Sequence, residues 1–146
     1  MGELSASELA VDEPVLWMIG DRRAARVTVG DHQWVRILDV PAALQARRYP
    51  AAGTIVLDVT DPLGFAEGRW RLTADASGSA RVDRVECDAA EADSVVTLGV
   101  AELSAVYLGA VSLTTLVAAG RARATDAAAA ARVLTWYEPA RLSFWY

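Results

Sequence analysis

A run of short alternating segments in the middle of the chain constrains the fold most strongly. The residues follow the two-residue period of β-strands in three segments, at 54–60, 69–73 and 80–86. In the first segment, Ile55, Leu57 and Val59 fall on one face, because successive side chains of a strand point to opposite faces. The connections, at 61–64 and 75–78, are short and contain the turn-forming residues Asp, Pro, Ser and Gly. Together these segments predict an antiparallel meander.

Segments with helical spacing flank and follow the meander. Asp39 offers an N-cap oxygen to a short helix that has Pro41 in its first turn. Apolar residues recur at helical spacing in three later segments, at 100–108, 112–119 and 126–137. Further strands are predicted at 33–38, 94–98 and 142–146. Strands followed by helices are typical of an α+β fold, here a mostly antiparallel sheet with helices packed on one side.

The first 31 residues differ from the rest of the chain. Polar and acidic residues surround one short apolar patch at 15–19, and a turn follows at 20–23. This pattern predicts a helix and a connector to a part upstream. We therefore divide the sequence into an N-terminal helix and linker remnant at 1–31 and one folded domain at 32–146. At this length a domain buries enough surface to be stable without disulfides or metals.

Composition argues against several classes of protein. The net charge of −5 and a pI near 4.8 argue against nucleic-acid binding, which needs a basic surface. The apolar runs are shorter than the roughly 18–20 residues of a membrane-spanning helix. Cys87 is the only cysteine, which excludes an intrachain disulfide and a cysteine-based zinc site. The acidic start lacks the basic region of a signal peptide, so we expect a cytoplasmic protein.

The sequence contains no recognisable catalytic set. A catalytic triad would have to use His32, the only histidine, and a solvated side chain in a polar turn is the simpler interpretation. Cys87 has no cationic neighbour in sequence except Arg84, whereas thiol catalysis needs a lowered pKa. The acidic segment 83–93 lacks the ligand spacing of a calcium loop, which favours a solvated loop over a cation site. A self-contained enzyme using His32 or Cys87 is therefore the weakest hypothesis.

Aromatic residues gather at the end of the chain. They are Trp136, Tyr137, Phe144, Trp145 and Tyr146. One interpretation is that these large side chains close the hydrophobic core. The other is an apolar cavity, which would be lined by Trp70, Tyr107, Trp136, Phe144 and Trp145. The terminal carboxylate of Tyr146 would also suit a general base, if it were held near the active site of a partner.

Five phrases of the sequence occur in the order and spacing of a known family. They are Asp-Glu-Pro-Val-Leu-Trp-Met-Ile at 12–19, Trp-Val-Arg-Ile-Leu-Asp-Val-Pro-Ala-Ala-Leu-Gln-Ala-Arg-Arg-Tyr at 34–49, Leu-Asp-Val-Thr-Asp at 57–61, Gly-Arg-Trp-Arg-Leu at 68–72 and Leu-Ser-Ala-Val-Tyr-Leu-Gly at 103–109. From about Asp12 to its end, the chain resembles the C-terminal region of the Eis (enhanced intracellular survival) family of GNAT N-acetyltransferases.

The resemblance implies two tandem GNAT domains that are missing here, followed by a domain with the sterol carrier protein 2-like fold. It implies acetyl-CoA as the cofactor of the whole enzyme, with neither a cofactor nor a metal bound by this chain. It implies amines of aminoglycosides or lysines as acceptors, and a homo-oligomer. It also implies that the carboxylate of the last residue, here Tyr146, reaches the active site as the base. The alternative is a stand-alone sterol-carrier-like module that binds a lipid or another apolar ligand.

Overall fold

The described part of the chain divides into two compact units. The computed structural model describes residues 5–7, 9–10, 12–30, 33–86, 91–138 and 140. One unit runs up to Trp34, and the other runs from Val35 to Ala140. The first unit holds the short helix α1, Val15–Met18, which coincides with the apolar patch of the sequence. It also holds a 3₁₀ turn, Arg22–Ala24.

In its described residues, the second unit is a five-stranded sheet with four helices. The strands are β1 (Gly53–Thr60), β2 (Gly68–Ala74), β3 (Ala80–Arg84), β4 (Ser94–Gly99) and β5 (Ala122–Ala124). The helices are α2 (Val40–Ala46), α3 (Val100–Tyr107), α4 (Leu113–Ala118) and α5 (Ala127–Leu134). The strand order is β3-β2-β1-β4-β5, with β1 and β4 parallel and the other neighbours antiparallel. The predicted α+β fold with a mostly antiparallel sheet is confirmed.

One face of the sheet forms the hydrophobic core. The register places Leu57 of β1 beside Trp70 of β2 and Val96 of β4, on the same face. Fully buried side chains of the helices belong to the same core cluster, namely Leu44, Leu103 and Leu134. Each buried leucine stabilises the fold by about 1.5–3 kcal/mol. The sheet and the helices are therefore held together by this shared apolar layer.

Side-chain caps fix where three of the helices begin. The Asp39 carboxylate accepts a hydrogen bond from the Ala42 N–H at 2.9 Å, as the sequence predicts. The Asp126 carboxylate accepts one from the Ala129 N–H at 2.9 Å, and the Ser112 hydroxyl accepts one from the Thr115 N–H at 3.1 Å. A cap of this kind stabilises a helix by about 1 kcal/mol.

The prediction of a strand at 33–38 is wrong. These residues have no regular secondary structure, and their hydrogen bonds go to side chains instead of to a neighbouring strand. The Ile37 N–H donates to the Ser104 hydroxyl at 3.1 Å, and the Arg36 guanidinium bonds to the Asp61 carboxylate. Residues 33–38 therefore form a connector that buries one side chain, Ile37, and they do not form strand hydrogen bonds.

Two further details differ from the sequence-based expectation. Helix α5 ends at Leu134 instead of continuing to 137, because Thr135 is extended with ψ 122°. The sequence does not predict β5, whose residues Ala-Arg-Ala lack the β-branched and aromatic side chains that favour strands. The strand predicted at 142–146 lies outside the described residues.

Gly78 occupies a turn where a side chain has no room. Its φ is +80°, and a Cβ at this position would lie 2.9 Å from the Tyr49 carbonyl oxygen. The Tyr49 N–H also donates to the Gly78 carbonyl at 3.0 Å, so the two backbones cannot simply move apart. We expect Gly78→Ala to lower the free energy of unfolding by more than the ~1–2 kcal/mol of the left-handed conformation alone. Chemical denaturation measures this loss.

The matched control for that substitution is Gly64→Ala. Gly64 has a similar φ of +77°, but no atom lies within 4 Å of a Cβ placed there. Gly64→Ala should therefore show only the cost of the backbone conformation. Equal losses for the two variants would contradict the role given to the Tyr49 contact.

Candidate functional site

Two of the predicted cavity residues, Tyr107 and Trp136, line one open cleft of about 320 Å³. Its other lining residues are Arg47, Arg48, Leu108, Glu138 and Ala140. Tyr107 is the last residue of α3, and Trp136 follows the end of α5, so the cleft lies where these two helices end. The Ala140 N–H donates to the Leu108 carbonyl at 3.0 Å, which holds the chain beside the cleft.

Arg47 connects the ends of three helices on one wall of this cleft. It follows α2 directly, and its guanidinium donates to the carbonyls of Tyr107 at 3.3 Å and Leu134 at 2.8 Å, the last residues of α3 and α5. The guanidinium carbon also lies 5.0 Å from the ring centre of Tyr49 and 5.7 Å from that of Tyr107. A cation is favoured at helix C-termini, where carbonyl oxygens lack partners. Arg47 therefore has a structural role in building the cleft.

Burial shifts the pKa values of Arg47 and Tyr49. Burial lowers the pKa of Arg47, and Tyr49 and Tyr107 partly oppose this shift, yet a guanidinium remains charged at neutral pH. Burial raises the pKa of Tyr49, an effect that Arg47 partly opposes. The Tyr49 hydroxyl donates to the Leu44 carbonyl at 2.6 Å. Tyr49 is thus neutral at neutral pH and acts in the structure as a hydrogen-bond donor.

Trp70 lies apart from the lining of this cleft. Its ring stacks over Gly68, where an added Cβ would lie 2.9 Å from the ring, and the Arg84 guanidinium lies 5.4 Å from the ring centre. The indole nitrogen is buried and has no hydrogen-bond partner among the described residues. The structure thus brings Tyr107 and Trp136 to the cleft and places Trp70 at the β2–β3 side of the sheet.

The remaining candidates lie outside the described residues. They are Phe144, Trp145 and Tyr146 at the end of the chain, together with His32 and Cys87. The acidic segment is described in part: the Asp93 carboxylate accepts from the Thr54 N–H at 2.7 Å, and Asp83 pairs with Arg81 at 2.7 Å. Within the described residues, no three His, Cys, Asp or Glu side chains gather closely enough to hold a metal ion.

A buried carboxylate, Asp61, organises the loop between β1 and β2. Its side chain is fully buried and accepts hydrogen bonds from the N–H groups of Leu63 and Ala66, each at 2.9 Å, and from the Arg36 guanidinium. Burial raises the pKa of Asp61, but the two N–H donors and Arg36 outweigh burial and hold the pKa below its ordinary value. The sequence predicts a turn at 61–64 but gives no sign of the distant partner Arg36.

With this geometry established, the comparisons with known proteins identify the domain. The family model described as "Sterol carrier protein domain" matches residues 40–141, which span the sheet, all four helices of the second unit and the cleft. The chain belongs to the sterol carrier protein domain family. This agrees with the fold expected from the Eis resemblance.

This chain matches the C-terminal part of larger proteins. It is 45% identical over 122 residues to an uncharacterized N-acetyltransferase of Streptomyces avermitilis, covering 83% of this chain and 28% of the relative. It is 36% identical over 123 residues to N-acetyltransferase Eis of Mycobacterium tuberculosis, covering 78% of this chain and 27% of that protein. The chain thus spans a little over a quarter of the length of these relatives.

A solved structure agrees with these sequence matches. The crystal structure of Eis1 from Mycobacterium abscessus superposes with a TM-score of 0.70 at 29% identity, covering 88% of this chain and 32% of that one. The expected resemblance to the C-terminal region of Eis-type N-acetyltransferases is confirmed. Among the described helices, none is long and apolar enough to cross a membrane.

The described cleft of the sterol carrier protein domain is suited to binding. Tyr107 and Trp136 supply aromatic walls, and Arg48 and Glu138 place opposite charges at its exposed rim. The guanidinium of Arg47 is already committed to backbone carbonyls. The sequence analysis missed Arg47, because its partners are the terminal carbonyls of α3 and α5 and not those of α2, the helix that it follows.

The pKa of Asp61 predicts how the stability of the domain depends on pH. Because folding lowers this pKa below its ordinary value of 3.8, the stabilisation is complete above that value and is lost as pH falls through the lower folded pKa. We expect Asp61→Asn to lower the melting temperature at pH 7, and the difference from wild type to shrink below about pH 4. Thermal melts across this pH range measure the difference.

Asp39→Asn is the matched control for Asp61→Asn. Asp39 is an exposed N-cap, a position at which asparagine and aspartate are about equally good. Its melting temperature should stay near that of wild type. A deficit for Asp61→Asn that is the same at pH 3 and pH 7 would refute the ionic role of Asp61.

Proposed function

We propose that this chain acts as the C-terminal accessory domain of an Eis-like, acetyl-CoA-dependent N-acetyltransferase. The observation that carries the proposal is its match to the C-terminal quarter of proteins named as N-acetyltransferases, at 45% identity for the Streptomyces avermitilis relative. The superposition on Eis1 at a TM-score of 0.70 supports the same position in the polypeptide. Acetyl-CoA would bind in the part that precedes this domain.

The acceptor in this proposal is a primary amine, on an aminoglycoside or on a lysine side chain. Such amines are cationic at neutral pH, and this chain carries a net charge of −5. An acidic surface raises the local concentration of cations and speeds their association. The net charge of the chain therefore supports a cationic acceptor over an anionic one.

The direct contribution to catalysis in this proposal is the carboxylate of Tyr146. The backbone is anchored by the hydrogen bond from Ala140 to Leu108, and Tyr146 follows six residues later. Six extended residues reach about 20 Å, so the carboxylate can enter a neighbouring domain. There it would accept the proton that the attacking amine loses, as a general base.

The proposal includes the cellular location and the oligomeric state of the enzyme. We place the protein in the cytoplasm, because a single cysteine fits a reducing compartment. We also propose that the full-length enzyme is a homo-oligomer, since closed symmetric assemblies are common among soluble enzymes. Mass photometry of the full-length enzyme measures the number of subunits.

A fusion enzyme tests the proposed function. In it, the part of the Streptomyces avermitilis relative that precedes the matched region is joined to this chain, in place of the relative's own C-terminal region. We expect the fusion to release CoA from acetyl-CoA when an aminoglycoside or a lysine peptide is added, and the isolated chain to release none. A correctly folded fusion that releases no CoA with either acceptor would overturn the proposal.

A second candidate function is the binding of a lipid or another apolar ligand by the domain alone. The observation that favours it is the aromatic cleft of about 320 Å³, which falls at the lower end of the 300–1,000 Å³ range of ligand pockets. Native mass spectrometry of the gently purified chain tests this function. A co-purified acyl ligand that is lost in Trp136→Ala would support it, and a ligand-free chain would count against it.

A further inference from the structure

The loop between β1 and β2 presents apolar side chains to solvent on a fixed backbone. Leu63 is 65% exposed and Phe65 is 69% exposed, although Ala66 between Phe65 and β2 is buried. Large apolar side chains on a protein surface mark an interaction site when they are grouped and held in place. These two lie two residues apart on the same short loop.

The rigidity of this loop comes from Asp61. Its buried carboxylate binds the N–H groups of Leu63 and Ala66, and the Gly64 N–H donates to the Asp61 carbonyl at 2.9 Å. The loop is therefore ordered without a partner. A preordered loop loses little conformational entropy on binding, so more of its apolar contact contributes to affinity.

The position of the loop indicates which partner covers it. Arg36, which binds the Asp61 carboxylate, lies on the connector through which the chain enters the domain, four residues before the sterol carrier match begins at residue 40. Leu38, on the same connector, is 60% exposed. The relatives continue for most of their length ahead of this point, because the chain covers only 28% of the Streptomyces avermitilis protein. The residues ahead of this point tether the preceding part to the domain, which raises the effective concentration of that part near the loop.

We infer that Leu63, Phe65 and Leu38 form the surface on which the preceding acetyltransferase part of the longer enzyme docks. This inference rests on the proposed function and adds the contact surface between the two parts. Phe65 and Leu63 are its anchors, and the hydrogen bonds of Asp61 fix their position. Docking at this surface sets the position of the domain relative to the active site, which is a positioning role.

Cysteine labelling tests the surface in the fusion enzyme and in the isolated 146-residue chain. Leu63→Cys is introduced after Cys87→Ser has removed the native thiol, and the rate of reaction with a maleimide is measured. We expect the rate to fall at least about tenfold in the fusion relative to the isolated chain, because the centre of an interface excludes water. Ala128→Cys, at an exposed position of α5, is the control and should react at similar rates in both proteins.

The outcomes separate this inference from the proposed function. Equal labelling of Leu63→Cys in both proteins, in a fusion that releases CoA, would overturn the docking surface and leave the proposed function standing. Protection in a fusion without turnover would support the surface and count against the catalytic role. Protection that grows with the concentration of the isolated chain would show that a second copy covers the loop, which also overturns the inference.

Discussion

We expect deletion of residues 144–146 from the fusion enzyme to lower the rate of amine acetylation by about two orders of magnitude or more, since a positioned general base contributes about 10²–10⁴-fold. The deletion removes the carboxylate of Tyr146 and leaves the chain end nearer in sequence to Ala140, the last residue with a described hydrogen bond. The loss should appear in kcat more than in KM for acetyl-CoA, because the proposal places the cofactor in the other part of the enzyme. Steady-state release of CoA measures both constants.

Two variants separate the role of the terminal carboxylate from that of the tyrosine hydroxyl. Tyr146→Phe keeps the terminal carboxylate and the ring and removes only the phenolic hydroxyl, so its kcat should stay near that of the unchanged fusion. One glycine added after Tyr146 shifts the carboxylate by about 3.5 Å and should lower kcat strongly. Unchanged turnover after deletion of 144–146 would disprove the role of the carboxylate. A loss in Tyr146→Phe as large as that of the deletion would assign the role to the phenol instead.

We expect Arg47→Met to lower the free energy of unfolding of the isolated chain by about 2–4 kcal/mol, because hydrogen bonds from a charged donor contribute about 1.5–3 kcal/mol each and solvent reduces the total. The substitution keeps much of the side-chain volume and removes the donors to Tyr107 and Leu134. The carbonyls at the ends of α3 and α5 then lose their partner. Guanidinium denaturation monitored by tryptophan fluorescence measures the loss.

Arg48→Met is the matched control for Arg47→Met. Arg48 is the next residue, is exposed, and donates from its side chain to the Ser79 hydroxyl at 2.8 Å. Its replacement should change stability by no more than about 0.5 kcal/mol. Arg47→Lys should lie between the two, since one ammonium cannot reproduce the planar fork of a guanidinium. Equal stability of the two methionine variants would contradict the role given to Arg47.

The sequence predicts the local features of the fold well, because they depend on neighbouring residues. Asp39 with Pro41 marks the start of α2, and the alternation of Ile55, Leu57 and Val59 marks β1. The same reasoning fails at 33–38, where alternation occurs without a pairing partner. It also misses β5, which has little strand propensity and forms because β4 offers it a free edge.

The groups that organise the candidate sites depend on contacts between distant residues. Arg36 and Asp61 are 25 positions apart, and Arg47 and Leu134 are 87 apart. No periodicity or local spacing connects such pairs, so the sequence shows only a turn at 61–64 and two adjacent arginines at 47–48. The sequence does place Tyr107 and Trp136 in one predicted cavity, because both continue the apolar spacing of the segments that form α3 and α5.

The central claim is that this domain contributes to chemistry in another part of the same polypeptide. The most direct test is the ratio of CoA release between the fusion enzyme and the same acetyltransferase part without any C-terminal domain, at saturating acetyl-CoA and amine. We predict a ratio of at least about 10², the contribution expected of a positioned base. A ratio near one, with both proteins folded and binding acetyl-CoA, would contradict the claim.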